Sequence, residues 1–308
     1  MLTIIIGSSG CASANPAPIN YSISPTISNP TELPIPTASW TPYSTITPSA
    51  LPSATLTAMP TLAEFDAKAE ILQLLANNSC EFPCLWGISP GITHLDEVKN
   101  LNRFSIFSDG GGVFSEKGGR LFLRIPQTNN LLLNLSLEVD MVDGIVDETF
   151  FGTQMVRKIG NGYEDVLGEQ SYADITKGFS LSRVLSQYGE PSEVYIFTRK
   201  VVPLGDPWDF NIVLFYPKNR FMAYYESSVE RVKNGNILGC PSLASSYFWF
   251  WNPSKEVSMS DVIARYDLQQ AKPIDVATDM NVKTFYTLFK EPGNEKCIET
   301  PQDMWPLP

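Results

Sequence analysis

Alternation of apolar and polar residues in two separate parts of the chain is the feature that most constrains the fold. In the first part it runs through Arg120–Ile125 and Leu131–Val139. In the second part it runs through Glu193–Arg199, Phe210–Tyr216 and Phe221–Glu226. A period of two residues is typical of strands with one buried face, and short turns between such strands favour antiparallel pairing. The pattern therefore predicts two groups of antiparallel strands.

A short helix is expected before each group of strands. Thr93 is a suitable N-cap for the first helix and Ser180 for the second, which ends at Gly189 and Pro191. Asp143-Gly144 marks a tight hairpin in the first group. One helix followed by three strands thus occurs twice. This order predicts an α+β fold of two repeated modules, with the helices on one face of the sheet.

The predicted modules occupy residues 63–165 and 166–308, and the second includes a C-terminal extension. A further helix is expected over Ala63–Asn77, at the start of the first module. Its predicted buried stripe consists of Phe65, Ala69, Leu72, Leu75 and Ala76. Two short helices are expected in the extension, one capped by Ser258 and one over Asn281–Phe289.

The residues before position 63 are predicted to lie outside the folded modules. Residues 1–11 combine an apolar run with small residues before Cys11, and they resemble the end of a bacterial lipoprotein signal peptide. Residues 12–62 are rich in Pro, Ser and Thr, with Glu32 as the single charged residue. Such a linker cannot bury enough apolar surface to offset its ordering entropy. We therefore expect a disordered, partly polyproline-II stalk.

This N-terminal organisation predicts an extracytoplasmic protein, anchored to the outer face of the cell membrane through a lipid on Cys11. A secreted protein is the alternative. In either case, the remaining cysteines are expected to form disulfides, and these are Cys80, Cys84, Cys240 and Cys297. Four cysteines allow three pairings, among which the sequence alone does not choose. Proximity favours Cys80–Cys84, which leaves Cys240–Cys297.

Charge and residue usage narrow the classes of partner and chemistry. The formal net charge of −11 argues against nucleic-acid binding and against charge-driven adsorption to anionic lipid. His94 is the single histidine, so a zinc site or a catalytic triad has few residues to use. No metal and no cofactor are expected, and catalysis is not the favoured prediction.

The densest aromatic run, Tyr247–Trp251, has two interpretations. The favoured one is a strand that is buried on both faces. The alternative is a partly exposed patch for a glycan or a protein, with Tyr247, Trp249 and Trp251 as its candidate binding residues.

Two stretches resemble the helix–turn–strand signature of BamE/SmpA-like and beta-lactamase-inhibitor-protein-like modules. The first is Gly91-Ile92-Thr93 followed by Glu97-Val98. The second is Phe179-Ser180, then Val184-Leu185, then Tyr188-Gly189-Glu190-Pro191. The first stretch lacks the Gly-x-Pro stop of that signature. The resemblance implies a binding or assembly role, because such modules act as interaction scaffolds, and it does not identify a partner.

The stretch Cys80–Thr93 is also similar to part of a family of uncharacterised lipoproteins from Chloroflexi-type bacteria. It departs from their pattern in having three residues between the cysteines and an added Leu85 before Trp86. The leading hypothesis is therefore a surface-tethered lipoprotein that binds an envelope or extracellular partner, either a protein or a glycan. The alternatives are a tethered carbohydrate-active hydrolase, with an acidic pair in an aromatic cleft, and a secreted protein inhibitor.

Overall fold

The computed structural model describes residues 61–76, 80–108, 112–128, 130–160, 162–166, 169–200, 208–241, 244–292 and 296–305. The predicted signal segment, Cys11 and nearly all of the linker lie outside these residues. Within them, helices accompany a large antiparallel sheet, which confirms the α+β class.

Twelve strands lie in the described part of the chain. They are β1 (Val113–Ser115), β2 (Gly118–Pro126), β3 (Leu131–Val142), β4 (Ile145–Ile159), β5 (Gly162–Asp165), β6 (Glu193–Lys200), β7 (Trp208–Tyr216), β8 (Phe221–Lys233), β9 (Asn236–Gly239), β10 (Ser245–Trp251), β11 (Lys272–Pro273) and β12 (Ile298–Pro301). The α-helices of the same residues are α1 (Glu64–Ala76), α2 (Leu95–Lys99), α3 (Gln170–Ile175), α4 (Leu181–Tyr188), α5 (Met259–Arg265), α6 (Ile274–Ala277) and α7 (Val282–Phe289).

One sheet runs through both predicted modules. Its strand order is β1-β2-β3-β4-β10-β8-β7-β6-β11. The strands β2–β4 and β6–β8 form two antiparallel meanders, and β10 pairs with β4 on one side and with β8 on the other. The remaining strands lie off this path, because β5 pairs with β4, β9 pairs with β8, and β12 pairs with β9. The buried residues of both meanders form one hydrophobic core.

The register of β10 divides the sheet into two faces. Phe248 lies opposite Phe151 of β4, and both side chains point to what we call the helical face. Trp249 lies opposite Phe150, and these two point to the other side, which we call the groove face. The helical face carries α3 and α4. The Tyr172 hydroxyl of α3 donates a hydrogen bond to the Thr153 carbonyl at 3.0 Å.

The loop that contains the first disulfide places the ring of Phe82 between the helical face of the sheet and helix α4. Cys80 and Cys84 are joined, with their Cα atoms 5.6 Å apart. Between them, Phe82 places its ring 5.1 Å from that of Phe248 and 5.2 Å from that of Tyr188 in α4. Because these rings belong to the loop, the sheet and the helix, they connect the loop to both packing layers.

Three details of the predicted helices are wrong. In α1 the buried residues are Ala67, Ile71 and Leu75, so Leu75 of the predicted stripe is confirmed, whereas Phe65 is 83% exposed and Ala69 is exposed as well. The N-cap of α2 is His94, because Thr93 is buried and its hydroxyl accepts a hydrogen bond from the Ser89 amide at 2.8 Å.

The third correction concerns the face on which the helices lie. Helix α5 packs on the groove face, where the ring of Tyr266, its C-cap residue, lies 5.9 Å from Phe150 and 5.8 Å from Trp249. The chain then crosses that face to β11, which pairs with β6. Helices therefore lie on both faces of the sheet.

The ring cluster on the helical face gives a test of the fold. We expect Phe248→Ala to lower the free energy of unfolding by about 3–5 kcal/mol, because it removes a fully buried ring from a packed core. Phe122→Ala is the control, since Phe122 is 54% exposed, and it should change stability by less than about 0.5 kcal/mol. Urea denaturation of the oxidised protein measures both. Equal effects of the two substitutions would contradict the assignment of Phe248 to the core.

Candidate binding groove

Aromatic rings from four strands form a continuous floor on the groove face. Phe197 of β6 lies 5.9 Å from Tyr224 of β8, and Tyr224 lies 5.3 Å from Tyr247 of β10. Tyr247 in turn lies 6.2 Å from Phe150 of β4. Tyr224 and Tyr247 face each other as a cross-strand pair, which places their rings side by side.

Hydrogen bonds fix the two tyrosines of this floor. The Tyr224 hydroxyl donates to Asn211 Oδ1 at 2.7 Å, and the Tyr247 hydroxyl donates to Gln154 Oε1 at 2.8 Å. Burial raises the pKa of Tyr247, and the nearby carboxylate of Glu226 raises it further. The Tyr247 ring is therefore held in one position, and its hydroxyl stays protonated at neutral pH.

A glycine in β4 makes room for the ring of Tyr247. Gly152 pairs with Tyr247 across the two strands. A Cβ atom at position 152 would lie 2.6 Å from Tyr247 Cδ1 and 2.7 Å from Ser136 Oγ. Since these distances are shorter than van der Waals contact, a side chain here would displace the ring from the floor.

The wall of the groove is α5 together with the chain that leads into it and the turn that follows it. Ser258 and Asp261 form a capping box at the start of this helix, and the Ser258 amide donates to Asp261 Oδ2 at 2.8 Å. At the other end, Asp267 has a φ of 52°, a left-handed conformation in which the chain turns after the helix. The Leu268 amide donates to the Ile263 carbonyl at 2.9 Å and keeps this turn against the helix.

A buried carboxylate fastens the wall to the sheet. The side chain of Glu148 in β4 is 10% exposed and accepts hydrogen bonds from Trp249 Nε1 at 3.1 Å and from Lys255 Nζ at 2.5 Å. It also accepts a short hydrogen bond from Arg265 Nη1. The guanidinium of Arg265 lies over the Trp249 ring, 4.7 Å from its centroid. The segment from β10 to α5 is thus held to the sheet at one point by charge, hydrogen bonds and stacking.

The floor and the wall enclose a groove of about 470 Å³. Its apolar lining consists of Phe150, Phe197, Met222, Tyr224, Tyr247, Tyr266 and Leu268. Its polar lining consists of Glu226, Asp267 and Gln270. Among the described residues that line the groove, two are acidic and none is Lys or Arg. Volume and composition are those of a site for a small ligand.

Further carboxylates lie beyond the Tyr247 end of the groove. Gln154, which accepts from the Tyr247 hydroxyl, donates through Nε2 to Asp165 Oδ1 at 3.0 Å. Burial raises the pKa of Asp165, and the charges of Asp209 and Glu164 add to this effect. The environment at this end therefore disfavours an additional negative charge.

The structure places the three aromatic candidates differently from one another. Tyr247 is half-buried and lines the groove. Trp249 and Trp251 are 3% and 1% exposed, so neither offers a free ring surface to a partner. The run is therefore the strand buried on both faces that the sequence favoured, and only its first aromatic residue reaches the groove.

The four cysteines and the adjacent carboxylates Asp147 and Glu148 also have defined places. Cys240 and Cys297 are joined, with a Cα–Cα distance of 4.2 Å, so the bonded pairs are those that proximity favoured. Two disulfides indicate an oxidising, extracytoplasmic compartment. Asp147 pairs with Lys255 at 2.5 Å beside Glu148, so these two adjacent carboxylates belong to the ion cluster that fastens the wall.

Several groove residues were not predicted from the sequence, among them Phe150, Phe197, Tyr224, Tyr266 and Glu226. Each occupies an ordinary strand or helix-end position, and none belongs to a motif. The pairing of Tyr224 with Tyr247 depends on the order β4-β10-β8, which joins segments distant in the sequence.

Comparison of the chain with protein-family models, with curated proteins and with solved structures finds no match in any of the three. No described helix has both the length and the apolar character needed to span a membrane. In the part of the chain that the structure describes, no three His, Cys, Asp or Glu side chains are grouped as metal ligands.

Replacement of the buried carboxylate tests how the wall is held. We expect Glu148→Gln to lower the free energy of unfolding by about 1–3 kcal/mol, because it removes a buried charged acceptor from two cations and an indole N–H. Urea denaturation at neutral pH gives the value.

Glu138→Gln is the matched control for this substitution. Glu138 pairs with Arg120 at 2.7 Å, but the Glu138 side chain is 38% exposed and that of Arg120 is 62% exposed, so water reaches this pair. Its loss should change stability by less than about 1 kcal/mol, since exposed ion pairs contribute little. If the two substitutions had equal effects, Glu148 would not be the anchor of the wall.

Proposed function

We propose that the chain is an extracytoplasmic binding module that receives its ligand in the groove between the sheet and the segment after α5. The observation that carries this proposal is the aromatic floor. Phe150, Tyr224 and Tyr247 are only half-buried, although each is fixed by neighbouring rings or hydrogen bonds. Rigid rings in an open groove supply contact area to a ligand at low entropic cost.

We further propose that the module is tethered through a lipid on Cys11, with residues 12–62 as the spacer. The lipoprotein-like segment before Cys11 and the two disulfides support this proposal, since both are expected of an exported protein. A binding module on a long spacer would reach partners at some distance from the membrane.

The relation to BamE/SmpA-like and beta-lactamase-inhibitor-protein-like modules also stays a proposal, as does the division into two repeats. A short helix followed by an antiparallel meander in each half supports it. The hydrolase and inhibitor alternatives stay predictions. Glu226 and Asp267 are the carboxylates to replace in a test for hydrolysis, because both line the aromatic groove.

The tether is tested on protein isolated from its native cell. We expect the N-terminal peptide to start at Cys11 and to carry the mass of a diacylglyceryl group, and we expect the protein to partition with membranes. Mass spectrometry of the peptide measures the modification, and a Cys11→Ser variant is the control. If Cys11 were unmodified and the protein fully soluble, the proposed tether would be wrong, and the proposal of a binding groove would not be affected.

The groove is tested by capture from an envelope extract on the full oxidised chain. We expect wild-type protein to retain a ligand that Tyr247→Leu fails to retain, because this change removes the ring at the centre of the floor. Phe65→Ala removes an 83% exposed ring of α1, away from the groove, and should leave capture unchanged. Retained material is titrated back onto both proteins by calorimetry. Equal binding by Tyr247→Leu and wild type would place the ligand elsewhere.

A further inference from the structure

We propose that the ligand of this groove is an oligosaccharide, a straight chain of β-linked hexose rings. One end of the chain occupies the groove, and the rest runs across the strands, over Tyr247, to a smaller cavity on the same face. This inference rests on the proposed binding function and names the chemical class of the ligand. It follows from the smaller cavity, from the span of the aromatic rings, and from an amide oxygen that has no hydrogen-bond partner.

The smaller cavity has a volume of about 120 Å³ and shares Tyr247 with the groove. Its lining also includes Phe122 of β2, Ser136 of β3 and Gly152 of β4. Phe122 pairs with Ser136, Ser136 with Gly152, and Gly152 with Tyr247, while Tyr247 pairs with Tyr224 on its other side. Directly paired residues point to the same face of a sheet, so these five form one row across the strands. The floor of the groove therefore continues past Tyr247 as far as β2.

The length of this row indicates an extended ligand. Adjacent strands lie about 4.8 Å apart, so the four steps from β2 to β8 cover about 19 Å. Phe122, which is 54% exposed, supplies a ring at one end, and the half-buried Tyr247 and Tyr224 supply rings at the other. Between them, Ser136 has a small side chain and Gly152 has none, which leaves room for a ligand to lie flat on the sheet. A single sugar ring is much shorter than this span, whereas a straight chain of rings covers it.

A row of polar residues runs beside the rings. Arg124 of β2, Asn134 of β3 and Gln154 of β4 pair with one another across the strands, and all three line the smaller cavity. They lie two positions along each strand from the row of rings, so they are on the same face and about 7 Å away. The C–H faces of a sugar ring pack on aromatic rings, and its hydroxyls point outward from the ring edge. A sugar chain therefore contacts both rows at once.

The side chain of Asn134 provides a specific polar contact. Its Oδ1 is buried and has no hydrogen-bond partner among the described residues. Because Asn134 is half-buried and lines the smaller cavity, rotation about its last side-chain bond presents this oxygen to a ligand. A ligand hydroxyl that donates to it removes the cost of a buried acceptor without a partner.

A polypeptide fits this surface less well than a sugar chain. Peptides bind sheets mainly by adding a strand at a free edge, whereas this surface is the face of a sheet. Each buried N–H and C=O group of a peptide also needs its own partner. A hydroxyl rotates to donate or to accept, so a sugar chain can bond to Asn134 and keep its outer hydroxyls in water.

Cellohexaose and chitohexaose are the probes, because both are straight chains of β-1,4-linked hexose rings. Each is titrated into the full oxidised chain by calorimetry, beside glucose and beside maltohexaose, whose α-linked rings form a curled chain. We expect at least one of the straight chains to bind, and to bind about tenfold more tightly than maltohexaose or glucose. Only a straight chain reaches the rings at both ends of the row, and the loss of one end costs on the order of one factor of ten in affinity.

Two substitutions place the chain on the smaller cavity. Phe122→Ala removes a ring, and Asn134→Ala removes the acceptor, so each should weaken binding of the straight hexasaccharide by about threefold to tenfold. Both variants should keep the fold, because Phe122 is exposed and Asn134 Oδ1 has no partner to lose, and urea denaturation checks this. Asn236→Ala is the matched control, since Asn236 is also an asparagine in a strand and lines neither cavity, and it should leave binding unchanged.

Three results would overturn the inference: no binding of either straight chain, affinity for maltohexaose or glucose equal to theirs, or wild-type affinity in Phe122→Ala or Asn134→Ala. The capture experiment distinguishes these failures from failure of the binding function. If Tyr247→Leu abolishes capture while neither straight hexasaccharide binds, the groove is a binding site for another class of ligand, such as a peptide.

Discussion

The insertion of β10 between β4 and β8 is the interaction on which the rest of the structure depends. Without it, the two meanders would each end in an unpaired edge, which is a template for wrong pairing. With it, their ladders of backbone hydrogen bonds become one sheet. Both edges of β10 are paired and side chains pack on both of its faces, which explains why Tyr247–Trp251 is aromatic throughout. Phe248 and Phe250 fill the helical core, while Tyr247 and Trp249 face the groove side.

The strands could be predicted from the sequence because burial of one face leaves a period of two residues. The alternation over Leu131–Val139 corresponds to alternating burial in β3, and Asp143-Gly144 forms its hairpin turn. The order of the strands could not be predicted in this way. Pairing of β10 with β4 joins residues about one hundred positions apart, and periodicity carries no information on such contacts. The position of α5 has the same limit. Its apolar stripe predicts that one side of the helix is buried, but it does not predict which face of the sheet covers that side.

The candidate site was predictable only at Tyr247, which stands in a conspicuous aromatic run. The other rings of the floor come from strands whose sequences predict only burial. The contact of Gly152 with the ring of Tyr247 could not be predicted from the sequence for the same reason. A glycine within a strand suggests close approach of another group, but the ring that approaches it belongs to a strand far along the chain. Predicting the groove from sequence would require the strand order first.

The end of the sheet beyond Tyr247 carries an energetic cost at neutral pH. Burial raises the pKa of Asp165 there, and the charges of Asp209 and Glu164 add to this effect. A folded-state pKa above the unfolded value means that the associated stability is present at low pH and is lost as the pH rises through the folded pKa. At neutral pH this end of the sheet therefore opposes folding slightly.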